Sequence, residues 1–93
     1  MSEGNRKTIT IVNQRGLHAR ASAKLVEVTT RWPEATEIQV AKDGRAVDGR
    51  SILDLMMLGA ARGDEIELIV AGEDAEAAMA EIAQLVETGF GEE

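Results

Sequence analysis

The sequence predicts an α+β fold of order β-α-β-β-α-β-α, an open-faced two-layer sandwich with three helices on one face of a four-stranded antiparallel sheet. Two observations predict it. Segments with an apolar residue at every second position alternate along the chain with segments of helical spacing. Each segment has only one apolar face, so strands and helices must bury these faces against one another. The other face of the sheet then remains in contact with solvent.

The first strand and the first helix are predicted from the N-terminal third of the chain. KTITIVN, residues 7–13, is rich in β-branched residues and places Ile9 and Ile11 on one face. Residues 19–31 carry their apolar side chains on a single helical stripe. Pro33 lies just beyond this stripe, as expected for a residue that ends a helix.

The remaining strands are a hairpin and a half-buried strand. EIQVAKDGRAVDG, residues 37–49, is divided by Asp43-Gly44, which is the signal of a two-residue type I′ turn. EIELIVA, residues 65–71, alternates apolar and outward-facing residues. These patterns predict three antiparallel strands in addition to the first.

Two further helices complete the fold. In SILDLMML, residues 51–58, Ser51 can cap the N-terminus. So short a helix cannot bury all its apolar side chains, and we expect Leu55 and Leu58 to face inward. Asp74 is expected to cap the last helix. The apolar stripe of that helix is Ala75, Met79, Ile82 and Val86.

Composition narrows the class of protein. The 93 residues suit one domain over residues 1–93, and the absence of cysteine excludes disulfides and thiolate catalysis. No apolar run approaches the ~20 residues of a membrane helix, and no secretion signal is present, so we expect a cytoplasmic protein without membrane insertion. A net charge of −7 argues against nucleic acid as the main partner.

The single histidine lies in the most basic part of the chain. Residues 1–31 hold six basic and two acidic residues, and RGLHARASAKL, residues 15–25, contains His18. Gly16 lets the backbone turn sharply or approach an anion closely. The first N–H groups of the following helix carry a partial positive charge of ~0.5, and the guanidinium of Arg20 suits phosphate oxygens. These features predict an anion site that needs no metal and no cofactor.

An imidazole at such a site can act as a nucleophile toward phosphorus. Nearby positive charge favours the neutral ring, which has a free nitrogen lone pair. The same donors would hold the phosphoryl group after transfer. Since the sequence has no second histidine and no recognisable nucleotide site, we expect a carrier that other proteins load and unload rather than an enzyme.

Two segments resemble a known family. RGLHARASAKLV, residues 15–26, and GRSILDLMMLGAARGDEIEL, residues 49–68, resemble HPr, the histidine-containing phosphocarrier protein of the bacterial phosphoenolpyruvate-dependent phosphotransferase system. The likeness runs over about residues 7–88, nearly the whole chain. The element order of that family matches the order predicted from the residue patterns.

The resemblance implies a role for several residues. It implies that His18 accepts a phosphoryl group on Nδ1 from phosphorylated enzyme I and passes it to enzyme IIA-type proteins, while Arg20 steadies the phosphoryl charge. Ser51 falls on a regulatory serine that a dedicated kinase/phosphorylase modifies in many bacteria. The partner-binding positions that the resemblance implies are Gly16, Leu17, Ile52, Leu53 and Met56.

The chain departs from the family's pattern at three positions. Ala21 replaces the usual proline after the motif arginine, a change that a first helical turn tolerates. Asp54 stands where a small residue is common, and Met57 where a polar residue is common. These two residues leave open which acceptor the carrier serves, and whether the relay belongs to sugar uptake or to a nitrogen-related branch.

Two alternatives belong to other classes of protein. The chain could be a regulatory interaction module, in nitrogen-related or catabolite control, that acts through the Ser51 helix and leaves His18 unused. It could also be a small-ligand-binding α+β domain that its ligand stabilises. We further expect a monomer, because transient partners need the docking face to be free. Met1 and the short tail Gly91-Glu92-Glu93 favour a free-standing protein over a piece of a larger phosphotransferase polypeptide.

Overall fold

The computed structural model describes residues 5–92 and confirms the open-faced sandwich. The strands are β1 (Asn5–Thr10), β2 (Thr36–Lys42), β3 (Arg45–Asp48) and β4 (Glu65–Gly72). The helices are α1 (Ala19–Thr29), α2 (Ile52–Met57) and α3 (Ala75–Glu87), and a 3₁₀ turn (Gly89–Gly91) follows α3. The strands form one antiparallel sheet in the order β1-β4-β2-β3.

The core lies between the helices and one face of the sheet. Along β4, Ile66, Leu68 and Val70 are buried, whereas the residues between them are partly exposed. Leu25 of α1 and Ile82 of α3 are fully buried on the helical side. The two layers are therefore held together by the burial of aliphatic side chains, which stabilises the folded state by about 0.8 kcal/mol for each buried CH₂.

The hairpin has the geometry that its turn residues predict. Asp43 and Gly44 have φ values of 52° and 82°, as a type I′ turn requires. Val40 of β2 pairs directly with Val47 of β3. The register of this pair keeps both valines on the core side of the sheet.

Two local predictions differ from the structure. The first strand spans Asn5–Thr10 instead of 7–13, because Ile11 already leaves the sheet and donates its N–H to the carbonyl of Asp64. Asp74 stands at the start of α3, but its backbone is left-handed (φ 55°) and its side chain makes no capping hydrogen bond. An N-cap side chain normally reaches the first turn from an extended backbone, so Asp74 holds the predicted N-cap position without the capping hydrogen bond.

None of the helices in the described part of the chain is long and apolar enough to cross a membrane.

Candidate functional site

His18 is the N-cap residue of α1. Its backbone is extended (φ −79°, ψ −174°), and its Nδ1 accepts a hydrogen bond of 3.2 Å from the backbone N–H of Arg20. The side chain is 17% exposed, so the ring reaches the surface but most of it is covered by other residues. Because Nδ1 accepts in this bond, its lone pair lies beside the positive end of the helix dipole.

The loop before His18 is pressed against the segment that follows α2. Gly16 has a φ of +64°, and a Cβ there would lie 2.3 Å from the carbonyl oxygen of Ala60 and 2.8 Å from the Cα of Ala61. Leu17 donates its N–H to Ala60 at 2.9 Å, and its side chain is only 4% exposed. Leu17 is therefore a core residue whose side chain supports the loop, and contact between Leu17 and a partner stays a prediction.

Two exposed arginines flank the histidine. Arg15 and Arg20 are exposed, and neither takes part in the ion pairs formed among residues 5–92. By contrast, the guanidinium of Arg50 donates to three backbone carbonyls. Arg20 follows the N-cap by two residues and is exposed, so its guanidinium is available to an anion at the start of α1.

A carboxylate contacts the other nitrogen of the imidazole. Glu92 Oε2 lies 3.1 Å from His18 Nε2, and Glu92 Oε1 accepts a hydrogen bond of 3.3 Å from Asn13 Nδ2. Since Nδ1 is an acceptor, Nε2 carries the proton and donates it to Glu92. The two ring nitrogens therefore have opposite roles, one as a lone-pair donor and one as a proton donor.

The C-terminal tail that carries Glu92 is anchored at two further points. Phe90 is 1% exposed and packs in the core, with a left-handed backbone (φ 59°). Lys24 of α1 donates from Nζ to the carbonyl of Phe90 at 2.9 Å. Asn13 also donates to the carbonyl of Gly16 at 2.8 Å, so it ties the tail to the loop before His18.

Neither Glu92 nor Asn13 is found from the sequence patterns. Glu92 is separated from His18 by 74 positions, and the acidic tail has no periodicity that would place it. The predicted first strand includes Asn13, whereas the structure places Asn13 in the turn after β1. An Asn three residues before a glycine that needs a left-handed backbone is the one local signal of that turn.

The environment lowers the pKa of Glu92 from its usual 4.5. Partial burial raises this pKa, but the hydrogen bonds from Asn13 and His18 and the positive charge of Lys24 outweigh that effect. Because the pKa is depressed in the folded state, the contribution of Glu92 to stability is present above pH 4.5 and is lost as the pH falls through the folded-state value.

We therefore expect the side-chain carboxyl carbon of Glu92 to titrate with a midpoint below 4.5. A pH series of ¹³C NMR spectra measures this midpoint directly. A midpoint at or above 4.5 would show that the tail does not hold the carboxylate against its two donors in solution.

The short helix α2 presents apolar side chains to solvent beside α1. Leu55 and Leu58 are 0% and 7% exposed, as predicted, and the Oγ of Ser51 accepts a hydrogen bond of 3.2 Å from the N–H of Asp54, which confirms the predicted N-cap. We call the exposed set the α2 patch: Ile52 (41%), Leu53 (66%), Met56 (40%) and Met57 (63%). Such a patch is typical of a surface that meets another protein.

Metal ligation has no candidate in residues 5–92, where no group of three or more His, Cys, Asp or Glu side chains is placed to hold an ion.

Comparison with known proteins agrees with this arrangement. A family model described as "PTS HPr component phosphorylation site" matches residues 5–88. The chain belongs to the HPr family. It is 41% identical over 87 residues to the phosphocarrier protein HPr of Neisseria meningitidis serogroup A, and the match covers 94% of this chain and 96% of that protein. HPr proteins are phosphocarriers of the phosphotransferase system, as the sequence motifs predict.

Solved HPr structures share the fold. HPr-C-His from Thermoanaerobacter tengcongensis superimposes with a TM-score of 0.89 at 37% identity, over 96% of this chain and 98% of that chain. Crh, a catabolite repression protein of Bacillus subtilis described as a dimer with swapped domains, superimposes with a TM-score of 0.72 at 30% identity, over 96% of this chain and 97% of that chain. Both cover nearly the whole of this chain.

Proposed function

We propose that this HPr-family chain is a stoichiometric phosphoryl carrier in the cytoplasm rather than an enzyme. In this proposal, Nδ1 of His18 accepts a phosphoryl group from phosphorylated enzyme I, and an enzyme IIA-type protein then takes the group. The observation that carries the proposal is the hydrogen bond from the start of α1 to Nδ1. It supports an acceptor nitrogen that is unprotonated and lies where free N–H groups can bind phosphoryl oxygens.

The transfer is a single displacement at phosphorus. The lone pair of His18 Nδ1 forms the new N–P bond, while the bond between phosphorus and the donor breaks and the donor keeps that electron pair. The proton on Nε2 stays in place. The backbone N–H of Arg20 moves from Nδ1 to a phosphoryl oxygen, and the guanidinium of Arg20 offsets the phosphoryl charge. The reverse displacement passes the group to the acceptor.

Both partners are proposed to dock on the α2 patch and on the basic residues Arg15 and Arg20 near His18. Ile52, Leu53 and Met56 supply apolar contact area, as the family resemblance implies. Arg15 and Arg20 are exposed and lie within three residues of His18, so they supply positive charge that suits an acidic partner surface. Gly16 contributes through the backbone of the loop rather than through a side chain. We expect a monomer to be the active form, because a partner must reach this face.

Regulation by phosphorylation is proposed at Ser51, through a serine kinase/phosphorylase. A phosphate there adds roughly −1.5 to −2 charge beside the α2 patch. Ser51→Asp is expected to slow loading by enzyme I about tenfold, the equivalent of ~1.4 kcal/mol. Aspartate can still cap α2, so the free energy of unfolding should stay close to that of the wild type.

The matched control is Ser51→Ala. It removes the cap and should cost about 1 kcal/mol of unfolding free energy, while the loading rate stays at the wild-type value. Both quantities come from urea denaturation and from the time course of phosphorylation. Equal loading rates for Ser51→Asp and the wild type would contradict regulation at this serine.

Incubation with enzyme I, magnesium and phosphoenolpyruvate tests the carrier proposal. Intact mass should increase by one acid-labile phosphoryl group, and His18→Ala should show no increase. The second candidate is a regulatory interaction module, which the likeness to the catabolite repression protein Crh favours. No mass increase with enzyme I from the same organism would contradict the carrier and leave that module as the better proposal.

A further inference from the structure

We propose that Glu92 is a positioning residue for phosphoryl transfer: it holds the Nε2–H of His18, and so keeps an unprotonated Nδ1 directed at the start of α1. This inference rests on the proposed carrier function. It concerns a tail residue that lies beyond the family match over residues 5–88.

The two oxygens of the Glu92 carboxylate bind two different donors. One oxygen is 3.1 Å from His18 Nε2 and the other is 3.3 Å from Asn13 Nδ2. The side chains of His18 and Glu92 are 17% and 20% exposed, and Asn13 is buried. Because both side chains are largely shielded from water, the electrostatic interaction between His18 and Glu92 is stronger than that of an exposed ion pair on a protein surface.

The position of the carboxylate is set by the rest of the tail. Phe90 is buried in the core two residues earlier, and its carbonyl accepts a hydrogen bond from Lys24 of α1. Lys24 lies in the middle of α1 and His18 is the N-cap residue of the same helix, so the tail is fixed to the element that carries the reacting ring. The contact between Glu92 and His18 therefore follows from the packing of Phe90 rather than from a free chain end.

The contact has two consequences for the reaction. Rotation of the imidazole about its Cβ–Cγ bond would turn Nδ1 away from the N–H of Arg20, and the bond from Nε2–H to Glu92 opposes this rotation. When Nδ1 donates its lone pair to phosphorus while Nε2 keeps its proton, the ring becomes positively charged. A carboxylate beside Nε2 stabilises that developing charge, as a carboxylate does for the catalytic histidine of a serine protease.

Glu92→Gln tests the proposal, because glutamine has nearly the same shape and can still accept from Asn13 but lacks the charge. We expect the single-turnover rate of loading by phosphorylated enzyme I to fall about tenfold, which is the lower end of the effect of removing a hydrogen-bond partner that orients a metal-binding histidine. Glu76→Gln is the matched control. It removes the same charge from an exposed side chain in the first turn of α3, whereas Glu92 lies beyond the C-terminal end of that helix. Its rate should equal that of the wild type.

A spectroscopic measurement separates positioning from a purely structural role. In ¹H–¹⁵N NMR spectra of the neutral ring, the Nε2-bound proton of His18 should be observable in the wild type and in Glu76→Gln, and should be lost to solvent exchange in Glu92→Gln. Equal loading rates together with an unchanged Nε2 proton signal would overturn the proposal. If enzyme I loads no variant, the carrier function fails, whereas the NMR comparison still decides whether Glu92 holds the ring.

Discussion

Replacing Gly16 with alanine should destabilise the protein by about 3 kcal/mol and slow phosphoryl loading at least tenfold. The new Cβ would meet the carbonyl oxygen of Ala60 at 2.3 Å and the Cα of Ala61 at 2.8 Å, and backbone atoms cannot rotate away as a flexible side chain can. The loop must then move. Since His18 is two residues further on, its Nδ1 would leave the N–H of Arg20, and small displacements at a reacting group have large effects on rate.

The control for this variant is Gly44→Ala. Gly44 also has a positive φ (+82°), but no atom lies within 4 Å of a Cβ built there. The free energy of unfolding of Gly44→Ala should fall by only about 1 kcal/mol, because alanine is disfavoured in a left-handed backbone. This variant should be loaded at the wild-type rate. Urea denaturation and loading kinetics measure both effects. Similar losses in the two variants would show that the close approach to Ala60 is not what fixes the loop.

Phe90→Ala should have the second large effect. Removing a fully buried phenylalanine costs about 3–5 kcal/mol, and loss of the anchor would release the tail from Lys24 and His18. We therefore expect the loading rate of the folded variant to fall about as far as that of Glu92→Gln. Denaturation curves give the stability change, and loading is compared at a temperature where the variant is still folded.

Phe90→Leu separates the loss of stability from the release of the tail. Leucine keeps most of the apolar volume, so the loss of unfolding free energy should stay near 1.5 kcal/mol and the tail should remain docked. Its loading rate should be close to that of the wild type. If Phe90→Ala is loaded as fast as Phe90→Leu, the tail has no part in phosphoryl acceptance.

The features that the sequence predicts correctly are those whose cause is local. The Asp43-Gly44 turn, the Ser51 cap and the inward side chains of α2 each depend on residues within one turn or one helix. The position of His18 at the start of α1 is equally local, because a glycine-led loop followed by a helical stripe is enough to indicate it.

Other features depend on contacts between distant parts of the chain, which periodicity does not show. The motif places Leu17 beside His18, but only the packing of the loop on Ala60 shows that this leucine is buried. Glu92 reaches the imidazole because Phe90 fills the core, and nothing in a single glycine-flanked aromatic residue predicts that burial.

The position of the phosphoryl group on His18 tests the central claim most directly. The loaded protein, with ¹⁵N-labelled histidine, should show coupling between phosphorus and Nδ1 in ³¹P and ¹⁵N NMR spectra, while Nε2 keeps its proton. This result follows from an Nδ1 lone pair at the start of α1 and an Nε2–H held by Glu92. A phosphoryl group on Nε2, or on a residue other than His18, would contradict the account.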